Sequence, residues 1–261
     1  MREQGKCIFC KGTGLSKEHV WPDWLKNVFP REVNNHSQTL IRTSFGSVNK
    51  TASVQPEFKS KQGHVGTKTV RNVCAACNNG WMSELEEKNK QTITSLALGE
   101  EIVLNSITQQ NLALWAAMKT IVAEYTDVST ISISEADRET VIQGQVPTDG
   151  WGIWIGRYKG KDWVQRYYHC GASLTTKAGF VLGLNSRPSF NTQSSVFVVG
   201  ELLIYITSTG NMRMAGTLDY CSNKKLHKVW PLKNSDIIWP FDDIFSDKEV
   251  LELGNSIIDF M

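Results

Sequence analysis

No stretch of the 261-residue chain approaches the ~18 consecutive apolar residues that a membrane-spanning helix requires. The opening residues, MREQGKCIFCKG, lack the apolar core of a secretory signal. A soluble, cytoplasmic protein with no membrane partner is therefore expected. Internal repeats and low-complexity tracts are absent as well. With 41% apolar and 21% charged residues, the composition excludes disorder, collagen and coiled coil. The length fits one large domain or two modest ones and is ample for a core.

A large excess of one charge sign is also missing, since the net charge is only +2. That figure hides an asymmetry. Residues 1–100 hold 14 Lys/Arg against 9 Asp/Glu, and the remainder holds 14 against 17, giving balances of +5 and −3. A basic N-terminal part suits a polyanionic partner, although the bias is mild.

The six cysteines carry more information. Cys7, Cys10, Cys74 and Cys77 form two CxxC pairs separated by 63 residues, and Cys170 and Cys221 stand alone. Disulfides are not expected in a chain without an export signal. Four thiolates in two knuckles are the ligand count of a closed tetrahedral Zn²⁺ site. So long a spacing requires something looped out between the knuckles.

Along the chain, residues 1–22 read as a knuckle followed by a short strand that ends at Pro22. Trp24 to Phe29 reads as a short helix. Residues 31–66, rich in Asn, Ser, Thr, Gln and Gly with scattered Lys and Arg, read as an irregular basic insertion with one or two strands. Thr67–Val73 alternates like a strand and delivers the second knuckle, and a helix opens at Asn78. The strongest periodic segment is a core helix capped at Ser106 or Thr108 and lined by Leu112, Leu114, Trp115, Met118, Ile121, Val122 and Tyr125. A shorter helix is predicted from Ser134 to Gln143. Beyond Pro147, the stretches Trp151–Tyr158, Trp163–His169, Phe180–Leu184, Ser195–Ile206 and Asn211–Thr217 read as strands. Ser246–Leu253 reads as a last helix. The expected boundaries are 1–100, a central helical segment 101–148, and a β-rich C-terminal domain 149–261.

The chemistry-bearing order is CxxC, then Glu18-His19 at the end of a strand, then CxxC, then Asn78 opening a helix. This pattern resembles the HNH endonucleases, the ββα-metal family, over roughly residues 5–90. Cys77-Asn78-Asn79-Gly80-Trp81-Met82, Leu85-Glu86 and Trp115-Ala116-Ala117-Met118-Lys119-Thr120 look like a bacterial subfamily of it. The resemblance implies an α+β fold: an N-terminal zinc-bound ββα-metal module, a central helix and an antiparallel β-rich C-terminal domain. It also implies hydrolysis of DNA phosphodiester bonds, in bacterial or phage defence, with Glu18 and Asn78 as ligands of a catalytic Mg²⁺ or Mn²⁺. The position at which the family carries a base-orienting Asn holds Thr69 here, with Asn72 three residues out of register.

The residue types suit that chemistry. A neutral imidazole such as His19 is a good general base near pH 7. Glu18 and Asn78 offer a carboxylate and an amide oxygen to a hard cation that keeps open positions for phosphate and water. His64 and His36 are weaker candidates for phosphate or metal. Cys170 with His169, and Cys221 with His227, are weak candidates for a second metal site. Trp151, Trp154, Trp163, Trp230 and Trp239 suit sheet packing better than base stacking. Lys224, Lys225 and Lys228 make a small basic patch. The C-terminal domain is expected to bind substrate or a protein partner. Two other readings stay open: a non-catalytic zinc-stabilised nucleic-acid-binding module, and an interaction scaffold.

Overall fold

Strand β1 (Leu15–His19) runs into a 3-10 turn at Asp23–Asn27, where the helix read at Trp24–Phe29 is confined to little more than one turn. The computed structural model describes residues 5–30, 36–44, 53–61, 64–163, 165–172, 190–210, 223–233 and 235–259. Within the predicted irregular insertion, β2 (His36–Ser44) and β3 (Ser53–Lys61) form a regular antiparallel ladder of nine pairs. Their sequences, HSQTLIRTS and SVQPEFKSK, hold too few apolar residues to show the period-2 signature of a strand. Strand β4 (Thr69–Cys74) then returns antiparallel to β1.

The helix expected at Asn78 begins earlier, with the turn α1 (Ala75–Cys77). Its cap is Cys74, whose thiol accepts the Cys77 N–H. A π-turn over Asn78–Met82 follows, where Gly80 leaves helical space, and α2 (Ser83–Leu98) continues from it. After a short strand β5 (Ile102–Leu104) comes α3 (Ser106–Glu124). Its cap is Asn105, one residue before the predicted position; the Asn105 side chain accepts the Thr108 N–H at 2.9 Å. Helix α4 (Glu135–Ile142) lies within the stretch predicted from Ser134 to Gln143, with Ser134 as its cap.

The C-terminal part is a six-stranded sheet. Strands β6 (Trp151–Tyr158), β7 (Gln165–Ala172), β8 (Thr192–Val199), β9 (Leu202–Thr209) and β10 (His227–Trp230) are antiparallel in the order β10-β6-β9-β8-β7. Strand β11 (Ile237–Trp239) leaves this sheet to pair with β5, and β12 (Ile244–Phe245) adds to β6 in parallel. Helix α5 (Asp247–Asp259) closes the fold. The strands read at Phe180–Leu184 and Asn211–Thr217 lie outside the described residues, as does Cys221.

The single strand read at Ser195–Ile206 is two strands joined by a tight turn. Gly200 makes the turn at φ +54°, and a Cβ there would lie 2.1 Å from the Ala97 carbonyl oxygen. The apolar run is interrupted only by Gly200-Glu201, and neither strand alternates because both faces of this sheet are covered. Phe197, Val199, Leu202, Ile204 and Ile206 face the main core, while Val196, Val198, Leu203 and Tyr205 face a second cluster with Val250 and Leu253 of α5. The main core runs from Cys7 through Trp21, Met82 and Trp115 to Trp239, so it draws on all three segments of the sequence. Helix α3 packs against α2, α4, β9 and β10. Every residue from Leu112 to Glu124 is buried, which is why its apolar arc in the sequence is so wide.

Burial of α3 traps two ionisable groups at its C-terminal end. Glu124 Oε1 accepts from Ser132 N (2.9 Å), Ser132 Oγ (2.8 Å) and Ile133 N (3.1 Å). His169 of β7 stands 3.7 Å from that oxygen through Nε2 and bonds Ser195 Oγ through Nδ1 at 2.7 Å. Desolvation pushes Glu124 up to about 7 and His169 down to about 4. The two shifts oppose each other in their effect on stability. Folded Glu124 holds a proton that the unfolded chain releases, so its contribution is lost as pH rises from about 4.5 to about 7. Folded His169 refuses a proton that the unfolded chain accepts, so its contribution is lost as pH falls from about 6.5 to about 4. Urea melts should separate them. The stability of His169→Gln should fall with rising pH across the Glu124 window, and that of Glu124→Gln should rise across the His169 window. Each slope should approach ~1.4 kcal/mol per pH unit. Parallel profiles for the two variants would mean that these groups do not titrate as buried residues.

Candidate metal centre and active site

The first knuckle is shaped by its own backbone. Cys7 N donates to Gly12 O (2.8 Å), Lys11 N donates to Cys7 O (3.1 Å), and Gly12 N reaches Cys10 Sγ at 3.4 Å. Lys11 adopts φ +62° to close this turn. The second knuckle is closed by Cys77 N on Cys74 Sγ at 3.5 Å. Pairing of β1 with β4 sets Leu15 opposite Cys74, and Ile8 N and Ala75 N add bonds to Asn72 O (2.9 Å) and Gly14 O (3.0 Å). The two knuckles therefore meet although far apart in sequence.

The four sulfurs lie within 4.8 Å of one another, and among the described residues no other group of three or more His, Cys, Asp or Glu is placed to hold a metal. A tetrahedron with metal–sulfur arms of 2.3 Å has edges of about 3.8 Å; Cys10 Sγ and Cys74 Sγ are 3.5 Å apart. Cys7, Cys74 and Cys77 are buried and Cys10 is exposed. The ring of Phe9 meets Trp81 edge-on at 5.0 Å beside them. Without a cation the cluster accommodates thiolate charge poorly. Burial pushes the Cys77 thiol well up, and charge on its neighbours adds to that. Burial also acts against ionisation of Cys74, but the Cys77 N–H and the neighbouring thiols outweigh it and bring that thiol down to about 7. Bound metal stabilises all four thiolates together. Cys7, Cys10, Cys74 and Cys77 could thus hold one metal ion.

The second constellation lies on β1, next to this cluster. The β1–β4 ladder slips by one residue between Ser16 and Glu18, so Arg71 and Asn72 together oppose Lys17. Such bulges re-aim the side chains beside them. Immediately after the bulge, Glu18 turns inward and is 5% exposed, while His19 is half-buried and stands across from Thr69. Thr69, at the position where an orienting Asn was sought, is thus the cross-strand neighbour of His19.

Glu18 meets Lys119, which belongs to the Trp115–Thr120 motif but has no chemical role in the sequence reading. Lys119, in the middle of α3 and 1% exposed, places its Nζ 2.8 Å from Glu18 Oε1, 2.5 Å from Glu86 Oε1 of α2 and 3.0 Å from the His19 carbonyl oxygen. An ammonium has three protons, and here each has an acceptor. Burial alone would lower the pKa of Lys119; Glu86 and Glu18 outweigh it and hold it above the ordinary lysine range. The signal in the sequence was a lone charge inside the apolar arc of α3. Its partners could not be read because Glu18 is 101 positions away.

Asn78 also touches β1. Its Nδ2 donates to Lys17 O at 3.0 Å and lies 3.1 Å from Ser16 Oγ, which leaves Oδ1 as the atom able to face a cation. Glu18 and Asn78 therefore bracket one short stretch of β1. Two oxygen donors suit a weakly held ion that keeps most of its water. The charge of Glu18 is already shared with Lys119, which argues against an all-protein cage.

The remaining candidates fall elsewhere. His64 Nδ1 accepts the Gly66 N–H at 3.0 Å and caps a 3-10 turn. His36 lies on β2, paired with Lys61. His169 belongs to the Glu124 network, and His227 stacks on Phe241 at 3.6 Å. Trp151, Trp154 and Trp239 are buried, and Trp163 and Trp230 pack against the cores. Lys225 bonds Glu249 at 2.6 Å, and Lys228 lies over the Trp154 ring.

Because metal binding to four thiolates is coupled to folding, metal analysis should return one ion per chain. Cobalt substitution should give thiolate charge-transfer absorption. Cys77→Ser should lose the metal and a large part of the cooperative melt. Well-folded wild-type protein without bound metal would remove this assignment. Comparison of the chain with protein-family models, with curated proteins and with solved structures finds no match, so its function has to be argued from these side chains.

Proposed function

We propose that this protein is a metal-dependent HNH-type endonuclease that hydrolyses DNA phosphodiester bonds, with Zn²⁺ at Cys7, Cys10, Cys74 and Cys77 as a structural ion. The observation that carries the reading is the closeness of Asn78 to β1, one residue before Glu18-His19. It comes in a strand–strand–helix unit whose two cysteine pairs meet at one end. The excess of positive charge in the first hundred residues favours a phosphate-rich partner. The C-terminal sheet would supply further contacts to substrate or to a protein partner.

In this reading His19 is the general base. It takes a proton from the attacking water as the new P–O bond forms and the bond to the leaving 3′ oxygen breaks. His19 is half-buried on β1, so part of the residue is open to solvent. Glu18 and Asn78 would hold Mg²⁺ or Mn²⁺, and the ion would supply charge neutralisation at the phosphate and at the leaving oxygen. Thr69, opposite His19, has a hydroxyl able to orient the ring where the family uses an amide. The ion pair between Glu18 and Lys119 favours a second reading, a zinc-stabilised module that binds nucleic acid without cutting it, because it occupies the carboxylate that the metal needs.

Incubation of zinc-loaded protein with supercoiled plasmid and Mg²⁺ or Mn²⁺ separates the two readings. The nuclease reading expects relaxed or linear product, lost by ~10²-fold or more in His19→Ala, with zinc content and melting temperature retained. A mild chelator should stop cleavage reversibly without removing the thiolate-bound ion. DNA binding with no cleavage in any divalent metal would select the second reading.

A further inference from the structure

We propose that Lys119 is the positioning residue for His19: its buried ammonium ties the Glu18 side chain, the His19 main chain and Glu86 into one staple that fixes where the imidazole stands. The staple joins β1, α2 and α3 through three contacts of 2.5 to 3.0 Å. The staple sits just past the bulge. Backbone pairing of β1 with β4 is regular through Leu15 and Ser16, is interrupted at Lys17, and resumes at Glu18 and His19. The contact to the His19 carbonyl comes from outside the hairpin and adds a fixed point to the stretch beyond the interruption. Lys119 can provide it because the helix that carries it is buried on every side from Leu112 onward.

The same ammonium gives Glu18 a fixed rotamer. Two carboxylates around one ammonium leave a formal charge of −1. Lys119 is 1% exposed and acts through its neighbours. Its effect on catalysis rests on the nuclease reading; its effect on the placement of His19 does not. A loss of ~10²-fold accompanies misplacement of a catalytic group by about 1 Å.

The test uses zinc-loaded wild-type protein, Lys119→Met, Glu86→Ala and His19→Ala. The His19 ring signal in a ¹³C–¹H spectrum is identified by its disappearance in His19→Ala. Lys119→Met should move that signal and lower kcat for plasmid cleavage by ~10²-fold, with KM for DNA and zinc content unchanged. Glu86→Ala, which removes one partly exposed anchor, should move both readouts in the same direction by less. It carries the comparison if Lys119→Met does not fold. An unmoved His19 signal with unchanged kcat in a folded variant would overturn the proposal and leave Lys119 as a packing residue. A moved signal in a protein whose wild type cuts no DNA would instead overturn the nuclease reading and leave the positioning role standing.

Discussion

Bringing Cys7 and Cys10 within reach of Cys74 and Cys77 is the constraint on which the N-terminal half depends. The 63 residues between the pairs make closure costly: (3/2)RT ln n gives about 4 kcal/mol for such a loop, before any constant. The pairing of β1 with β4 is short and bulged and offsets this only in part. A metal ion bound at four thiolates would contribute about 10–16 kcal/mol at neutral pH, and that term would dominate. Once the knuckles are joined, Cys74 caps the helix, Asn78 falls beside Lys17, and the Glu18-His19 pair is delivered to the start of the core.

The C-terminal sheet and α3 supply the rigidity that this corner lacks. A sheet covered on both faces and a helix buried all round leave little freedom for the side chains between them. Three charged or titratable groups are placed inside: Lys119, Glu124 and His169. Uncompensated buried charges cost several kcal/mol each. Lys119 is compensated by two carboxylates and a carbonyl, Glu124 by three N–H or O–H donors, and His169 by staying neutral. None adds to stability in the way that an apolar residue of the same size would. Their presence marks positions where something other than packing sets the choice of residue.

Much of this was legible in the sequence because it is local. The CxxC pairs, the run that forms β6, the helix that starts at Ser134 and the core arc of α3 all declare themselves within a few residues. Strands β5, β10, β11 and β12 did not, since pieces of two to four residues have no period to detect and owe their existence to distant partners. Strands β8 and β9 merged into one reading because two covered faces erase the alternation that separates a strand from its neighbour; Gly200 was the one local sign of a turn. The start of the helix was misplaced from Ala75 to Asn78 because a cysteine is seldom read as a cap. Glu18 and His19 were legible as a pair, but the sequence could not say that one would turn inward to a lysine of α3 while the other stayed half-exposed.

The bulge at Arg71 and Asn72 has a consequence for how this hairpin responds to change. Val70 and Val73 both face the core although they are three residues apart, a spacing that a regular strand does not permit. Deleting Arg71 would set them two apart, restore an unbroken ladder with β1, and leave the carbonyl that receives Ile8 in place. The hairpin thus carries one residue more than its hydrophobic pattern requires. The length of this strand, more than any single side chain on it, sets where Val70 and Val73 fall relative to the core and where Glu18 and His19 resume their pairing.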